Sequence, residues 1–243
     1  MLYGNSGFLL SNTAKFELDN VVAGGSLGNG INRLNAMTYV ERLCRVWGNS
    51  NDGQGQHSGA PPTGADILGV SFDPWCHDNW DDGDSIHEKC QTSVFGGLWE
   101  YNGDRGFVPS YGGHARVFNG IARYNGRMAI DLPGVSTFQD GAGFLFTQAP
   151  AANSSSVGGN LELFGCISEG NPINFAVDTV NNRLLAERCV SRSPVTASGA
   201  GTHFYTYGGG VMDARNCQYS GAGTVRAEFV GGVVNVANDS ALA

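Results

Sequence analysis

Polar and apolar positions alternate along this chain in short runs that break and restart. Val117-Phe118-Asn119-Gly120-Ile121-Ala122 is representative: a few residues with a period of two, an Asn or Gly, then another such run. A period of two sends successive side chains to opposite faces of a strand, and Asn and Gly accept the positive φ of a tight corner. No stretch sustains a helical period, so the pattern predicts an all-β chain of many short strands.

The pattern itself repeats. PWCHDNWDDG (74–83), GLWEYNGDRG (97–106) and GIARYNGRMA (120–129) align without gaps and set Asn79, Asn102 and Asn125 23 residues apart. Asp81, Asp104 and Arg127 follow the same step. Two further periods reach Asn171, and FNGIARYN (118–125) aligns with FGCISEGN (164–171). One more period takes Cys166 to Cys189. Cys44 precedes Asn49 as Cys166 precedes Asn171, and Cys217 fits after a short insertion. Strand-like pieces with a fixed corner Asn at this spacing mark a coiled solenoid. Each turn supplies two or three strands, and turns stack at about 4.8 Å. The 243 residues make roughly ten turns. Asn79, Asn102, Asn125 and Asn171 are expected to form a side-chain amide ladder. Cys44, Cys166, Cys189 and Cys217 are expected to form a buried column of reduced thiols.

These rung repeats, the Asn corners and the Asp-Gly-x-Ser-x-His pattern at 82–87 carry a resemblance. The chain resembles the right-handed parallel β-helix of the pectate-lyase-like kind, found in polysaccharide lyases, hydrolases, C5-epimerases and bacteriophage tail spikes. The resemblance covers about residues 36–232, with a loop insertion read at 48–64. Residues 1–35 are read as a cap or first rungs, and 233–243 as a C-terminal tail. The resemblance implies a polysaccharide partner and a place on a virion tail or spike, or otherwise outside the cell. Its tail-spike branch implies a homotrimer.

Composition narrows the partners. Charged residues are 15% of the chain, Gly accounts for 37 residues, and the formal net charge is −8. No block of Lys or Arg exists, which argues against nucleic acid. No run is long and apolar enough for a membrane span. The N-terminus has no charged region ahead of its apolar part, so no signal peptide is expected. No Cys-x-x-Cys pair is present, against a structural zinc site.

The chemistry concentrates in CHDNWDDGDSIHEKC (76–90) and the turn after it. Glycoside cleavage commonly uses two carboxyl groups, about 5 Å apart for retention and 6.5 to 9.5 Å for inversion. Adjacent rungs offer the closer spacing. Asp81 and Asp104 are therefore the first candidate pair, with Asp78 and Asp84 next. His87 or His77 is a candidate base for a lyase or epimerase variant. Trp80, Arg105, Tyr111, His114, Arg127 and Glu88 are candidate substrate contacts. FDPWCH (72–77) resembles the Asp-Pro-His site of mannuronan epimerases, with two residues intruding between Pro74 and His77. No cofactor is expected. Ca²⁺ is the competing reading, because clustered Asp oxygens suit it and pectate-lyase-like proteins often hold it at such rims. The strict EF-hand spacing is absent. A third reading makes DNWDDGDS a solvated turn. Polysaccharide depolymerase, non-catalytic glycan-binding module and purely structural β-helix thus stand as competing functions.

Overall fold

The computed structural model of the chain describes residues 6–11, 15–35, 37–57, 67–88, 90–127, 141–147, 158–196, 199–228 and 231–242. Three sheets, each of nine parallel strands, wind around a common interior. Phe8–Ser11, Lys15–Asp19 and Val22–Gly24 open the first, second and third sheets, and each later turn adds one strand to each. The register carries the sequence period: Asp84 pairs with Phe107, Gln91 with His114, and Leu98 with Ile121. An antiparallel ribbon, Val195–Thr196 with Gly199–Ala200, interrupts the path and accounts for the insertion before Cys217.

The structure adjusts the sequence reading at two places. Gln54–His57, inside the stretch read as a loop insertion, is a regular strand of the first sheet. Residues 58–66 lie outside the described residues. Val233–Ala237 and Ser240–Ala241 pair as strands, so they continue the coil where a tail was expected. The described residues form nine turns, in keeping with the roughly ten expected.

The interior is built from columns, because parallel in-register turns place equivalent residues directly above one another. One first-sheet column runs Ile31, Gln54, Asp84, Phe107, Phe144, Phe175, Phe204. Phe144, Phe175 and Phe204 stack at 5.8 and 5.7 Å between centroids. Each buried ring contributes roughly 1.5–3 kcal/mol relative to exposure. The early turns differ: Arg33, Gln54, Gln56 and Asp84 are all at 0% exposure, and Arg33 is bonded to Glu41 and Gln54.

The asparagine ladder forms as expected and reaches one turn further back. Nδ2 of Asn49, Asn79, Asn102 and Asn125 donates to the Oδ1 of the next Asn at 2.8, 2.9, 2.8 and 3.0 Å, ending on Asn171. All six cysteines are reduced and buried. Cys44, Cys166, Cys189 and Cys217 occupy the same corner position, each carbonyl accepting from the first amide of the third-sheet strand one turn on. Cys76 lies within a third-sheet strand and Cys90 opens a second-sheet strand.

Candidate active site

The acidic stretch sits at the corner between the third and first sheets. Two columns fix that corner. The Asn ladder ties its start, and a glycine closes it four residues on, at Gly53, Gly83 and Gly106. A Cβ on Gly53 would lie 2.5 Å from the Gly83 carbonyl oxygen, and one on Gly83 2.5 Å from that of Gly106. The backbone therefore turns the corner alike on successive rungs and presents intervening residues in register.

Asp52, Asp82 and Arg105 occupy one such position on three successive rungs, and Asp81 precedes Asp82. Asp52, Asp81 and Asp82 each offer a carboxylate oxygen, and these oxygens lie within 4.8 Å of one another. Asp52 and Asp82 are each 6% exposed, and Asp81 is half-buried. Ser85 Oγ donates to Asp52 Oδ2 at 2.5 Å, and Asn29 Nδ2 donates to the same oxygen at 3.4 Å. Arg105 donates from its backbone to Asp82 Oδ1 at 3.2 Å and pairs through Nη1 with Asp82 Oδ2 at 3.5 Å. Its Nη2 reaches Asp104 Oδ2 at 3.0 Å, while Asp104 Oδ1 accepts the Gly141 amide at 2.9 Å.

Electrostatics follow from this crowding. Burial, then the negative charge of Asp81, pushes the Asp52 carboxyl up to about 7. Burial also drives Asp82 well above the ordinary carboxylate range, against the pull of Arg105. Like charges this close disfavour joint ionisation, so a bound proton or a cation stabilises the group.

The other candidates from the sequence fall into separate places. Asp84 faces the interior at 0% exposure, which removes it from contact with a polymer on the outside. Asp78 is exposed at a left-handed corner (φ 53°), bonded to His77 Nδ1 at 2.8 Å and Arg127 Nη1 at 3.3 Å. Trp80 is 63% exposed beside the acids. His87, Glu88 and Tyr111 lie at the opposite edge of the first sheet, the corner leading to the second sheet. There His87 stacks between His57 (4.3 Å) and Tyr111 (5.4 Å). Burial lowers the His57 pKa to about 4 and that of His87 well below its ordinary value. His114 opens a second-sheet strand and lines a groove of about 500 Å³ with Leu68, Gln91, Arg116, Asn160 and Glu162. The single patch expected from the sequence is thus two corners, one acidic and one rich in histidine, separated by a four-residue strand.

Asp52 and His57 are the residues that sequence reasoning missed. A signal was present: Asn49 and Gly53 repeat the spacing of Asn79 and Gly83, which sets Asp52 level with Asp82.

Comparison with known proteins agrees with this winding. A search of solved structures finds pectate lyase Pel9A, with a TM-score of 0.58 and 16% identity over 93% of this chain. The fold is the right-handed parallel β-helix of the pectate-lyase-like kind. The mannuronan C-5 epimerase AlgE6 A-module of Azotobacter vinelandii is also similar, with a TM-score of 0.51 and 12% identity over 92% of this chain. The chain spans 56% and 58% of those two structures. No protein-family model and no curated relative matches the sequence. Among the described residues, no helix is long and apolar enough to cross a membrane.

Proposed function

We propose that this β-helix acts on a polysaccharide, with Asp52, Asp81 and Asp82 as its chemical centre. The observation that carries the proposal is the convergence of their oxygens within 4.8 Å on one corner. That spacing suits the closer carboxyl separation, the one that gives retention. Asp52, raised to about 7, is the proton donor to the glycosidic oxygen. Asp81, the more exposed, is the carboxylate that attacks the anomeric carbon. The C–O bond to the leaving sugar breaks as Asp52 gives up its proton. Water then attacks the anomeric carbon as Asp52 takes its proton, and the bond to Asp81 breaks and releases the sugar. Arg105 and exposed Trp80 flank the group and are suited to contact the glycan. The substrate class proposed is a bacterial surface glycan, met by the protein on a virion or outside the cell, as a homotrimer.

A second reading rests on the same residues. Three hard oxygen donors on one corner fit a Ca²⁺ ion, which prefers six to eight oxygens and leaves positions for a uronate carboxylate. The pectate and mannuronan named in the two similar structures are polyuronates, in keeping with an acidic chain held through a cation. A non-catalytic glycan binder is the third outcome.

The test is incubation with capsular, O-antigen and uronate polysaccharides, with and without chelator. Chain length, reducing ends and unsaturated-sugar absorbance are followed together. New reducing ends without absorbance, lost in D52N and D81N, support hydrolysis. Absorbance, or activity abolished by chelator, supports the cation reading. Retention of glycan without shortening overturns the enzymatic proposal in favour of binding.

A further inference from the structure

The opposite corner of the first sheet carries a different set of donors. His57 and His87 hold equivalent positions on adjacent rungs, the register Asp84–Gln54, Ser85–Gly55 and Ile86–Gln56 continuing to them. Their rings stack at 4.3 Å with 24° between planes. Glu88 follows His87 in the left-handed conformation (φ 54°). That corner lets two consecutive residues offer ligand atoms to the same space. His57, His87 and Glu88 present one donor atom each, all within 4.8 Å, and all three side chains are half-buried.

We infer that this corner is a binding site for a divalent transition-metal ion of the Zn²⁺ type, held by His57, His87 and Glu88. Two imidazoles and one carboxylate form a recognised zinc set, with a fourth position open to water or a ligand. Two nitrogen donors also disfavour Ca²⁺, which separates this corner from the all-oxygen acidic one. The shell behind the ligands supports the assignment. Ser110 Oγ shares a 2.9 Å hydrogen bond with His87 Nδ1, which leaves Nε2 as the metal-binding nitrogen. Tyr111 packs on the far face of His87 at 5.4 Å. An imidazole donates in its ring plane, so the two rings turn out of their 24° stack when both face one ion. At zinc–ligand distances near 2.0–2.1 Å, tetrahedral donors stand roughly 3.3 Å apart, so binding draws the three groups together by at most about 1.5 Å. The ion would tie the rung of Gln54–His57 to that of Asp84–His87.

The test uses the full chain, titrated with Zn²⁺ by calorimetry and with Co²⁺ by visible absorption. One equivalent is expected, with intense d–d bands of a low-coordinate Co²⁺ and no thiolate charge-transfer band. H57Q, H87Q and E88Q are each expected to weaken binding roughly 100-fold or more, while D81N leaves it unchanged. Far-UV circular dichroism on each variant separates a lost ligand from a lost fold. E88Q changes a residue at a corner outside the sheet, so it remains informative if a histidine variant unfolds. The inference is overturned if the wild type binds no Zn²⁺ at millimolar concentration, or if all three variants bind as well as wild type. A thiolate band, or loss of binding in D81N, overturns it as well. None of these outcomes depends on polysaccharide activity.

Discussion

Asp84 gives the sharpest quantitative test of how the coil is built. Its carboxylate lies inside the early turns, at 0% exposure, and neither oxygen has a hydrogen-bond partner. Burial raises its pKa from the ordinary 3.8 to about 8, with Arg33 pulling the other way and Glu41 and Asp52 adding to the rise. The sign follows directly. In the unfolded chain the group ionises above 3.8, whereas in the fold it keeps its proton until about 8. Folding therefore binds a proton across that window, and stability falls as pH rises through it. Below the window nothing is lost, and above it the loss is complete. Each pKa unit is worth about 1.36 kcal/mol, so at neutral pH the cost is on the order of 4 kcal/mol. D84N removes the titration, keeps the shape and breaks no hydrogen bond. It is expected to be more stable than wild type by a few kcal/mol at neutral pH and nearly equal to it at about pH 4. Urea unfolding of both proteins at roughly pH 4, 7 and 9 measures this. Comparing the two proteins cancels the contribution of Asp82, while that of Asp52 cancels except for its coupling to Asp84. A stability gap that stays constant with pH would refute the reasoning, and so would a wild type more stable than D84N at neutral pH.

Other consequences can be checked alongside it. If Asp52 is the proton donor, hydrolysis should decline as pH rises through about 7, and D52N should lose about 10²–10⁴-fold in kcat while binding glycan normally. Asn102→Ala removes a side chain bonded to Asn79, Asn125 and the Cys76 carbonyl. The stranded polar atoms should cost roughly 3 kcal/mol or more, read as a lower denaturation midpoint with unchanged slope. Gly83→Ala forces a Cβ to within 2.5 Å of the Gly106 carbonyl oxygen, a backbone atom that cannot step aside, and should destabilise by at least about 1–3 kcal/mol in the same assay. An aromatic disulfide reagent should find the thiols unreactive in the native protein and titrate six after denaturation.

The winding was legible because one physical requirement recurs on each of several turns. An amide ladder works only if an Asn returns to the same corner, and a buried thiol column only if a small side chain returns to the same interior slot. Those two demands print the period into the sequence whatever the strands between contain. The site was less legible because insertions hide the register without breaking it. From Asn49 to Asn79 the step is longer than 23 residues, so Asp52 looked like part of a loop although the strand after it, Gln54–His57, is regular. The interior acid was hidden for a different reason. Alternation predicts apolar residues inward, but the early turns pack Arg33, Gln54 and Gln56 there, and Asp84 joins a polar interior that no periodicity announces.

The candidate pair illustrates the limit of register as a guide to chemistry. Asp81 and Asp104 are one period apart, and the Asp104 amide donates to the Asp81 carbonyl at 3.1 Å, so their backbones are neighbours. Register fixes backbones; a carboxylate goes where its hydrogen bonds are. Asp104 turns to the Gly141 amide and the Arg105 guanidinium, and this draws on a segment far along the chain that the local repeat does not contain. Asp81 instead shares its space with Asp52 and Asp82, on its own rung and the one before. A column of acids is therefore a weaker predictor of a working pair than the donors that compete for each member. The acids best suited to chemistry are those whose nearest neighbours are other acids, because crowding then raises a pKa.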